Sequence, residues 1–202
     1  PRDRISQNGG IMLKRIFFLI SGLLLAAGCS SPDNPPAHPE NICRIFEQYP
    51  HWADATFNAE KKWGAPASVM MSIMYQESAY KYNAQPPVRW ALFIPYGRAS
   101  SAYGFPQAKD EAWANYEQAT GSSGSRENFE DSINFIGWYM SVTMRKNGVG
   151  PYDGYRHYLN YHEGWGGYAK GTYSSKDWLI KVARKVDSRA KTYEEQLDSC
   201  GY

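Results

Sequence analysis

The sequence lacks an excess of charge of either sign. Its 202 residues include 22 Lys and Arg against 20 Asp and Glu, which gives a net charge of +2. Proteins that bind nucleic acids usually carry a clustered positive surplus, so this balance argues against that class. The length permits one domain with a substantial core. The sequence shows neither an internal repeat nor a linker that would separate a second domain.

Long hydrophobic runs are also missing. The apolar run 16–27 follows Lys14 and Arg15 and is too short to span a bilayer. A basic start, an apolar centre and small residues before Cys29 are typical of a secretory signal peptide. Residues 1–28 are therefore predicted to be upstream residues and a signal peptide that lie outside the fold.

The end of this segment is similar to the lipobox of bacterial lipoproteins, in which the cysteine is lipidated and becomes the new N-terminus. The resemblance implies that Cys29 carries lipid. It also implies that the proline-rich residues 29–40 form a tether before a domain at 41–202. Ser30 follows the cysteine, and by resemblance to lipoprotein sorting signals this implies anchoring in the outer membrane of a Gram-negative cell, facing the periplasm.

Cysteine is scarce, with three in the chain. If Cys29 carries lipid, Cys43 and Cys200 remain, and an even pair in an exported chain most simply forms one disulfide. Two unpaired thiols are the alternative, although exposed thiols in an oxidising compartment tend to be consumed. His157 and His162 lack the spacing and the acidic partner of a zinc site, so we assign no metal and expect no cofactor.

Alternating strand patterns are hard to find, and helical periodicity dominates the chain. Six helices are predicted, at about 52–63, 66–78, 109–119, 129–147, 153–159 and 179–197. The stretch 84–103 is rich in proline and aromatic residues and could hold a short hairpin or an irregular insertion. The predicted fold class is therefore mostly α, in a single domain.

A carboxylate occupies an unfavourable position near the end of the second predicted helix. Glu77 falls on the same apolar stripe as Met70 and Met74. Burial and the C-terminal end of the helix dipole both disfavour the anion, so we expect a raised pKa, which suits a general acid. The alternative is a carboxylate that reaches water or pairs with an arginine such as Arg89 or Arg98.

Three short motifs follow one another in order. Glu77-Ser78 comes first, the segment 104–107 (Gly-Phe-Pro-Gln) second, and the segment 161–164 (Tyr-His-Glu-Gly) third. Their order and spacing resemble the soluble lytic transglycosylase family, which shares a lysozyme-like fold with goose-type lysozymes. In that family a catalytic Glu-Ser pair precedes Gly-Leu-Met-Gln and Ala-Tyr-Asn-Ala-Gly. The resemblance covers roughly residues 52–167; Phe-Pro replaces Leu-Met in the second motif, and His-Glu replaces Asn-Ala in the third.

The resemblance implies cleavage of the β-1,4 bond between N-acetylmuramic acid and N-acetylglucosamine in peptidoglycan. Glu77 would protonate the leaving oxygen and then accept the proton of the muramoyl C6 hydroxyl as that oxygen attacks the anomeric carbon. The product would be a 1,6-anhydro end. One carboxyl group suffices for this reaction, whereas ordinary glycosidases use a pair. The expected partner is thus the peptidoglycan glycan strand, bound by a monomer.

The candidate substrate-binding residues lie in or beside the three motifs. They are Ser78, Tyr103, Gly104, Gln107, Tyr161, His162 and Glu163. Ser78 could orient a sugar amide or peptide group, and Gln107 with the Gly104 backbone could bind substrate. Tyr161 could hydrogen-bond the Glu77 carboxyl. If the match were accidental, Tyr161 and Gln107 would serve as a cap or as packing contacts.

Two other functions remain open. Glu163 could act as a second carboxylate that positions water, which would make the protein a lysozyme-type hydrolase. A solvated loop charge is the more ordinary role for such a residue and the one we expect. A non-catalytic lipoprotein that binds peptidoglycan is the second alternative, although the presence of both Glu77 and Ser78 favours an enzyme.

The aromatic content of 16 Tyr, 7 Trp and 8 Phe fits a saccharide cleft, because flat rings stack on sugar faces, but it also fits an ordinary core. The cleft candidates, besides Tyr103, are Trp90, Phe93, Tyr96, Trp165 and Tyr168. Trp138 and Trp178 lie in periodic helices, so we expect them to pack in the core.

Overall fold

A computed structural model describes residues 33–202. They contain seven helices and one two-stranded antiparallel hairpin, in the order α1 (Ile42–Gln48), α2 (Pro50–Trp63), α3 (Ala67–Ser78), β1 (Val88–Ala91), β2 (Ile94–Arg98), α4 (Asp110–Thr120), α5 (Phe129–Asn147), α6 (Gly154–Ala169) and α7 (Asp177–Cys200). The predicted mostly α single domain is confirmed, and the hairpin lies inside the 84–103 insertion. The predicted signal peptide, the lipidation at Cys29 and the first part of the tether lie outside the described residues.

Two helices differ from the prediction. Helix α1 was missed because it has only seven residues, too few to show a periodic pattern. Asn41 caps it by accepting a hydrogen bond from the backbone N–H of Arg44 at 3.0 Å. Helix α6 continues ten residues beyond the predicted end at Leu159, with a kink at Gly164, whose φ of 74° is open to glycine at little cost. The third motif therefore lies on a helix.

Helix α3 lies at the centre of the fold. It contacts α2, α5, α6 and α7, and nine of its residues are buried: Ala67, Ser68, Val69, Met70, Met71, Ser72, Ile73, Met74 and Ser78. A helix that is apolar on nearly all sides has to be surrounded by protein. The end of α3, where Glu77 lies, is therefore fixed by four other helices.

The turn after α3 is held by one buried tyrosine. Ala79 and Tyr80 both have positive φ, 49° and 60°, which is uncommon for residues other than glycine. The Tyr80 side chain is fully buried, and its hydroxyl donates to the Met71 carbonyl oxygen at 3.1 Å and lies 3.2 Å from the Tyr193 hydroxyl. This packing offsets the backbone strain and fixes the direction in which the chain leaves Glu77.

The two ends of the domain are joined covalently. Cys43 in α1 and Cys200 at the end of α7 form a disulfide across 157 positions of sequence, with their Cα atoms 6.4 Å apart, so the predicted pairing is confirmed. The side chain of Gln196 adds a second link by accepting a hydrogen bond from the Ile42 N–H at 2.9 Å. The described residues fall within one compact unit with its own core and disulfide, so we expect this segment to fold by itself.

Within residues 33–202, no helix combines the length and the apolar content that crossing a bilayer requires.

Removal of the disulfide should destabilise the domain substantially. We expect Cys43→Ser with Cys200→Ser to lower the free energy of unfolding by roughly 4 kcal/mol, because closing so long a loop restricts the unfolded chain. Urea unfolding of residues 33–202, followed by circular dichroism, measures this change. The reduced wild-type domain is the control and should match the double variant, whereas equal stability of its oxidised and reduced forms would contradict the prediction.

Candidate active site

Glu77 lies in the wall of a cavity of about 370 Å³ that several elements share. Besides Glu77 at the end of α3, the wall includes Ser100 and Gln107 from the loop before α4. Helix α5 contributes Phe135 and Tyr139, and helix α6 contributes Tyr161, His162, Glu163 and Gly164. Glu77 of the first motif, the whole third motif and the last residue of the second are thus brought to one place.

The carboxyl group of Glu77 is surrounded by protein on the sides that do not face the cavity. Burial raises its pKa to about 7, and the polar hydroxyl of Tyr158 nearby opposes part of that rise. Among residues 33–202, no ion pair involves Glu77, so the alternative of a pair with Arg89 or Arg98 is wrong. A carboxyl with this pKa is available in both protonation states near neutral pH.

Tyr158, and not Tyr161 as the sequence predicted, has the phenol that lowers the pKa of Glu77. The Tyr161 hydroxyl donates to the Pro106 carbonyl oxygen at 2.6 Å, so the predicted hydrogen bond from Tyr161 to Glu77 is not formed. Tyr158 lies three residues earlier on the same face of α6 and is buried beside the carboxyl. Burial and the nearby Glu77 raise the pKa of both phenols, which keeps them neutral hydrogen-bonding groups.

The second motif forms a tight turn that places Gln107 in the cavity wall. Gly104 has φ of 72°, and a Cβ atom there would lie 2.0 Å from the Arg126 carbonyl oxygen, so only glycine fits. The Nε2 of Gln107 donates to the carbonyl oxygens of Ala84 at 2.7 Å and Gly104 at 2.9 Å. Gln107 therefore closes the turn in addition to lining the cavity.

Three predicted site residues lie away from the cavity wall: Gly104, which forms the turn described above, and Ser78 and Tyr103. Ser78 is buried, and its Oγ donates to the Met74 carbonyl oxygen at 3.2 Å within α3, so its contact is with the helix. The hydroxyl of Tyr103 donates to Glu127, and its ring lies 5.5 Å from the Arg126 guanidinium carbon. Arg126 also donates to the carbonyl oxygen of Ala108, a residue of the cavity wall, at 2.8 Å. Tyr103 therefore supports the wall through Arg126 and does not line the cavity.

The pKa of Glu163 is shifted in the opposite direction from that of Glu77. Its side chain is 4% exposed, and Lys176 Nζ lies 2.7 and 2.8 Å from its two oxygens. His162 Nδ1 lies 3.0 Å from one oxygen, and the Thr172 hydroxyl donates to the other. Burial by itself would raise the pKa, but the hydrogen bonds from Lys176, Thr172 and His162 outweigh it and lower the pKa to about 2. The predicted solvated loop charge is wrong, because Glu163 is a buried, paired carboxylate on α6.

The aromatic predictions have mixed outcomes. Trp138 is buried as expected, but Trp178 is 55% exposed, with its ring centroid 5.1 Å from that of His162, so its assignment to the core is wrong. Trp178 is the second residue of α7, and the apolar stripe of that helix begins only at Leu179. The hairpin residues Trp90, Phe93 and Tyr96 are exposed and do not line the cavity.

Two further cleft candidates pack against other rings. Trp165 stacks on Tyr139 with centroids 4.5 Å apart, and Tyr168 stacks on Tyr173 at 5.4 Å. Neither lies in the cavity wall.

No group of three or more metal-binding side chains occurs in the described part of the chain. His157 is buried on α6, and one ring nitrogen lies 3.1 Å from the Gly150 carbonyl oxygen. Burial lowers its pKa to about 4, so it is neutral near pH 7. His157 is therefore a core residue.

Sequence reasoning missed Tyr158, Ser100, Tyr139 and Lys176. Tyr158 could have been found, since it lies one helical turn before Tyr161 and on the same face. Lys176 lies between the last two helices and gave no signal in the sequence.

A family model described as transglycosylase SLT domain matches residues 17–200. A comparison with curated proteins finds no match to this sequence.

The pair between Lys176 and Glu163 should stabilise the domain more than an exposed pair does. We expect Lys176→Met to lower the free energy of unfolding by about 2 kcal/mol at pH 7, because it leaves a buried carboxylate without its cation. Adding Glu163→Gln should restore part of this loss. Urea unfolding of all variants measures the change.

The matched control is Lys191→Met, which breaks the pair with Asp187 on the surface of α7, also at 2.7 Å. This variant should cost much less than Lys176→Met, because the Lys191 pair is exposed and screened by solvent. Equal losses from the two lysine variants would contradict a special role for the Glu163 pair.

Proposed function

Since the chain belongs to the transglycosylase SLT domain family, whose general activity is the lytic cleavage of peptidoglycan, we propose a specific reaction for it. The enzyme cleaves the β-1,4 bond between N-acetylmuramic acid and N-acetylglucosamine and leaves a 1,6-anhydro end. Glu77 is its single acid and base. The peptidoglycan glycan strand is the substrate that the family implies.

The observation that carries this proposal is the state of Glu77. Its carboxyl group lines a cavity, its pKa is raised to about 7 by burial, and the neutral phenol of Tyr158 lies beside it. A group that both donates and accepts a proton in one catalytic cycle works best when its pKa lies near the working pH. Glu77 fits that requirement.

The proposed reaction needs no second carboxylate and no water. Protonated Glu77 donates its proton to the glycosidic oxygen, which leaves as the 4-hydroxyl of N-acetylglucosamine. The C6 hydroxyl of the muramoyl residue then attacks its own anomeric carbon, and the Glu77 carboxylate accepts the hydroxyl proton. The carboxyl group returns to its starting state, and the product carries an internal C1–O6–C6 bridge.

The contacts of Glu163 argue against a hydrolase. A general base that activates water needs a free carboxylate oxygen, but Lys176 and His162 contact one oxygen of Glu163, while Lys176 and Thr172 contact the other. The charge of Lys176 also keeps the carboxylate a weak base. We therefore assign Glu163 to positioning His162 at the cavity, and we propose that His162 and Gln107 contact the glycan. The Gly104 backbone is hydrogen-bonded within the protein and does not line the cavity.

We further propose that the protein works at the cell envelope. A cell-wall substrate and a disulfide that needs an oxidising compartment both support this location. The lipobox before Cys29 adds an outer-membrane anchor to the proposal.

The proposed reaction predicts the mass of the products. We expect residues 33–202 to release anhydromuropeptides from purified peptidoglycan and Glu77→Gln to reduce the release at least a thousandfold, because it cannot transfer the proton. Mass spectrometry of the digest separates anhydro ends from reducing ends, which are one water heavier.

Glu163→Gln is the matched control and should give the same anhydro products as the wild type. If the wild type releases reducing ends and Glu163→Gln does not, the protein is a hydrolase that uses Glu163. Binding to peptidoglycan without release by any variant would indicate a non-catalytic protein.

Tyr158 should set the pH range of activity. The acid form of Glu77 is populated below its pKa, so kcat/KM should fall above about pH 7. Because the Tyr158 hydroxyl lowers that pKa, Tyr158→Phe should move the alkaline limb to higher pH. Initial rates between pH 5 and pH 9 measure the shift. Tyr168→Phe on the same helix is the control, and an unchanged or lowered limb in Tyr158→Phe would contradict the assignment.

A further inference from the structure

The end of the β-hairpin exposes a cluster of large apolar side chains. We call residues 90–96 the hairpin tip. Leu92 and Phe93 are 92% and 93% exposed, and Trp90, Ile94 and Tyr96 are also mostly exposed. Exposed apolar patches of this kind usually mark a contact with a partner or a membrane.

The turn of the hairpin does not require the apolar residues that the tip contains. Leu92 has φ of 56°, a conformation in which hairpins prefer asparagine or glycine. Leucine is strained there and gains no contact in the domain that would offset the strain, since it is almost wholly exposed. The Leu92 side chain is therefore a candidate for a contact outside the domain.

The tip is also separate from the catalytic cavity. The cavity wall includes Ser100 but no residue of the tip. The side chains of Leu92 and Ile94 have neither a flat face for a sugar ring nor a hydrogen-bonding group. They are suited to an apolar environment.

The charged residues in the segment that carries the hairpin are all of one sign. From residue 78 to residue 109 the sequence has no Asp or Glu, but it has Lys81, Arg89, Arg98 and Lys109, although the chain as a whole is nearly balanced. Val88 pairs with Arg98, and Arg89 pairs with Gly97, so the two arginines lie at the same level near the base of the hairpin. This arrangement is complementary to an anionic surface.

The dimensions of the hairpin fit the interfacial layer of a bilayer. Leu92 lies three positions after Arg89, and a strand rises about 3.3 Å per residue, so the turn at Leu92 reaches roughly 10 Å beyond the arginines. Apolar groups of interfacial segments enter membranes to about 5–10 Å. Within the tip, Trp90 and Tyr96 lie between the turn at Leu92–Phe93 and the arginines, at the level where such rings are enriched in membrane proteins.

We propose that the hairpin tip inserts into the interface of an anionic lipid bilayer. Leu92, Phe93 and Ile94 enter the acyl boundary, and Arg89 and Arg98 contact lipid phosphates. The contact is independent of lipid at Cys29 and of the reaction at Glu77.

Vesicle binding by residues 33–202 tests this proposal, because this segment lacks the apolar run 16–27 and Cys29. Co-sedimentation with vesicles of phosphatidylethanolamine and phosphatidylglycerol (3:1) is compared with neutral phosphatidylcholine vesicles. We expect binding to the anionic vesicles, and at least a tenfold weaker partition for Leu92→Ser with Phe93→Ser. Arg89→Gln should weaken binding to the anionic vesicles about fivefold, as expected for one cation near such a surface.

Tyr152→Ser is the matched control, since Tyr152 is 59% exposed but lies in the loop before α6, and it should bind like the wild type. Glu77→Gln should also bind like the wild type, which separates this proposal from the catalytic one. A second readout is quenching of tryptophan fluorescence by shallow brominated lipids, which Trp90→Phe should reduce.

Absence of vesicle binding by the wild type, or equal binding by the Leu92/Phe93 double variant, would overturn the proposal. If that double variant instead loses binding to peptidoglycan, or loses self-association, without any vesicle binding by the wild type, the tip contacts a glycan or a protein and the lipid proposal is wrong.

Discussion

The fold depends on one constraint, the burial of a carboxyl group at the end of a central helix without a cation beside it. Helix α3 can hold Glu77 there only because α2, α5, α6 and α7 surround it and Tyr80 anchors the turn that follows. The cost of this arrangement appears as a raised pKa. The surrounding core compensates for the cost, and the cavity keeps the carboxyl in reach of a ligand.

The contrast between Glu77 and Glu163 shows how surroundings decide what a carboxyl group can do. Both residues line the same cavity, but the pKa of Glu77 is raised to about 7 and that of Glu163 is lowered to about 2. Neutral phenols face the first, whereas an ammonium group, a hydroxyl and an imidazole contact the second. Pairs of titratable groups with opposite shifts are typical of sites where only one of them transfers protons.

Sequence patterns predicted the features that depend on short-range periodicity. The position of Glu77 on an apolar stripe, the long helices and the disulfide between Cys43 and Cys200 followed from spacing, composition and cysteine count. The failures concern contacts between distant segments. The Glu163 carboxylate is buried because Lys176, in the loop before α7, covers it, and Tyr161 turns away from Glu77 because the Pro106 carbonyl competes for its hydroxyl. Neither contact can be predicted from the residues that neighbour it in the sequence.

The disulfide between α1 and α7 has a mechanical consequence. Tension applied between the two ends of the domain would pass from Cys43 directly to Cys200 through the sulfur atoms and would bypass every residue between them. The central helix with Glu77 lies inside this closed loop, so neither end can be pulled away to unravel it.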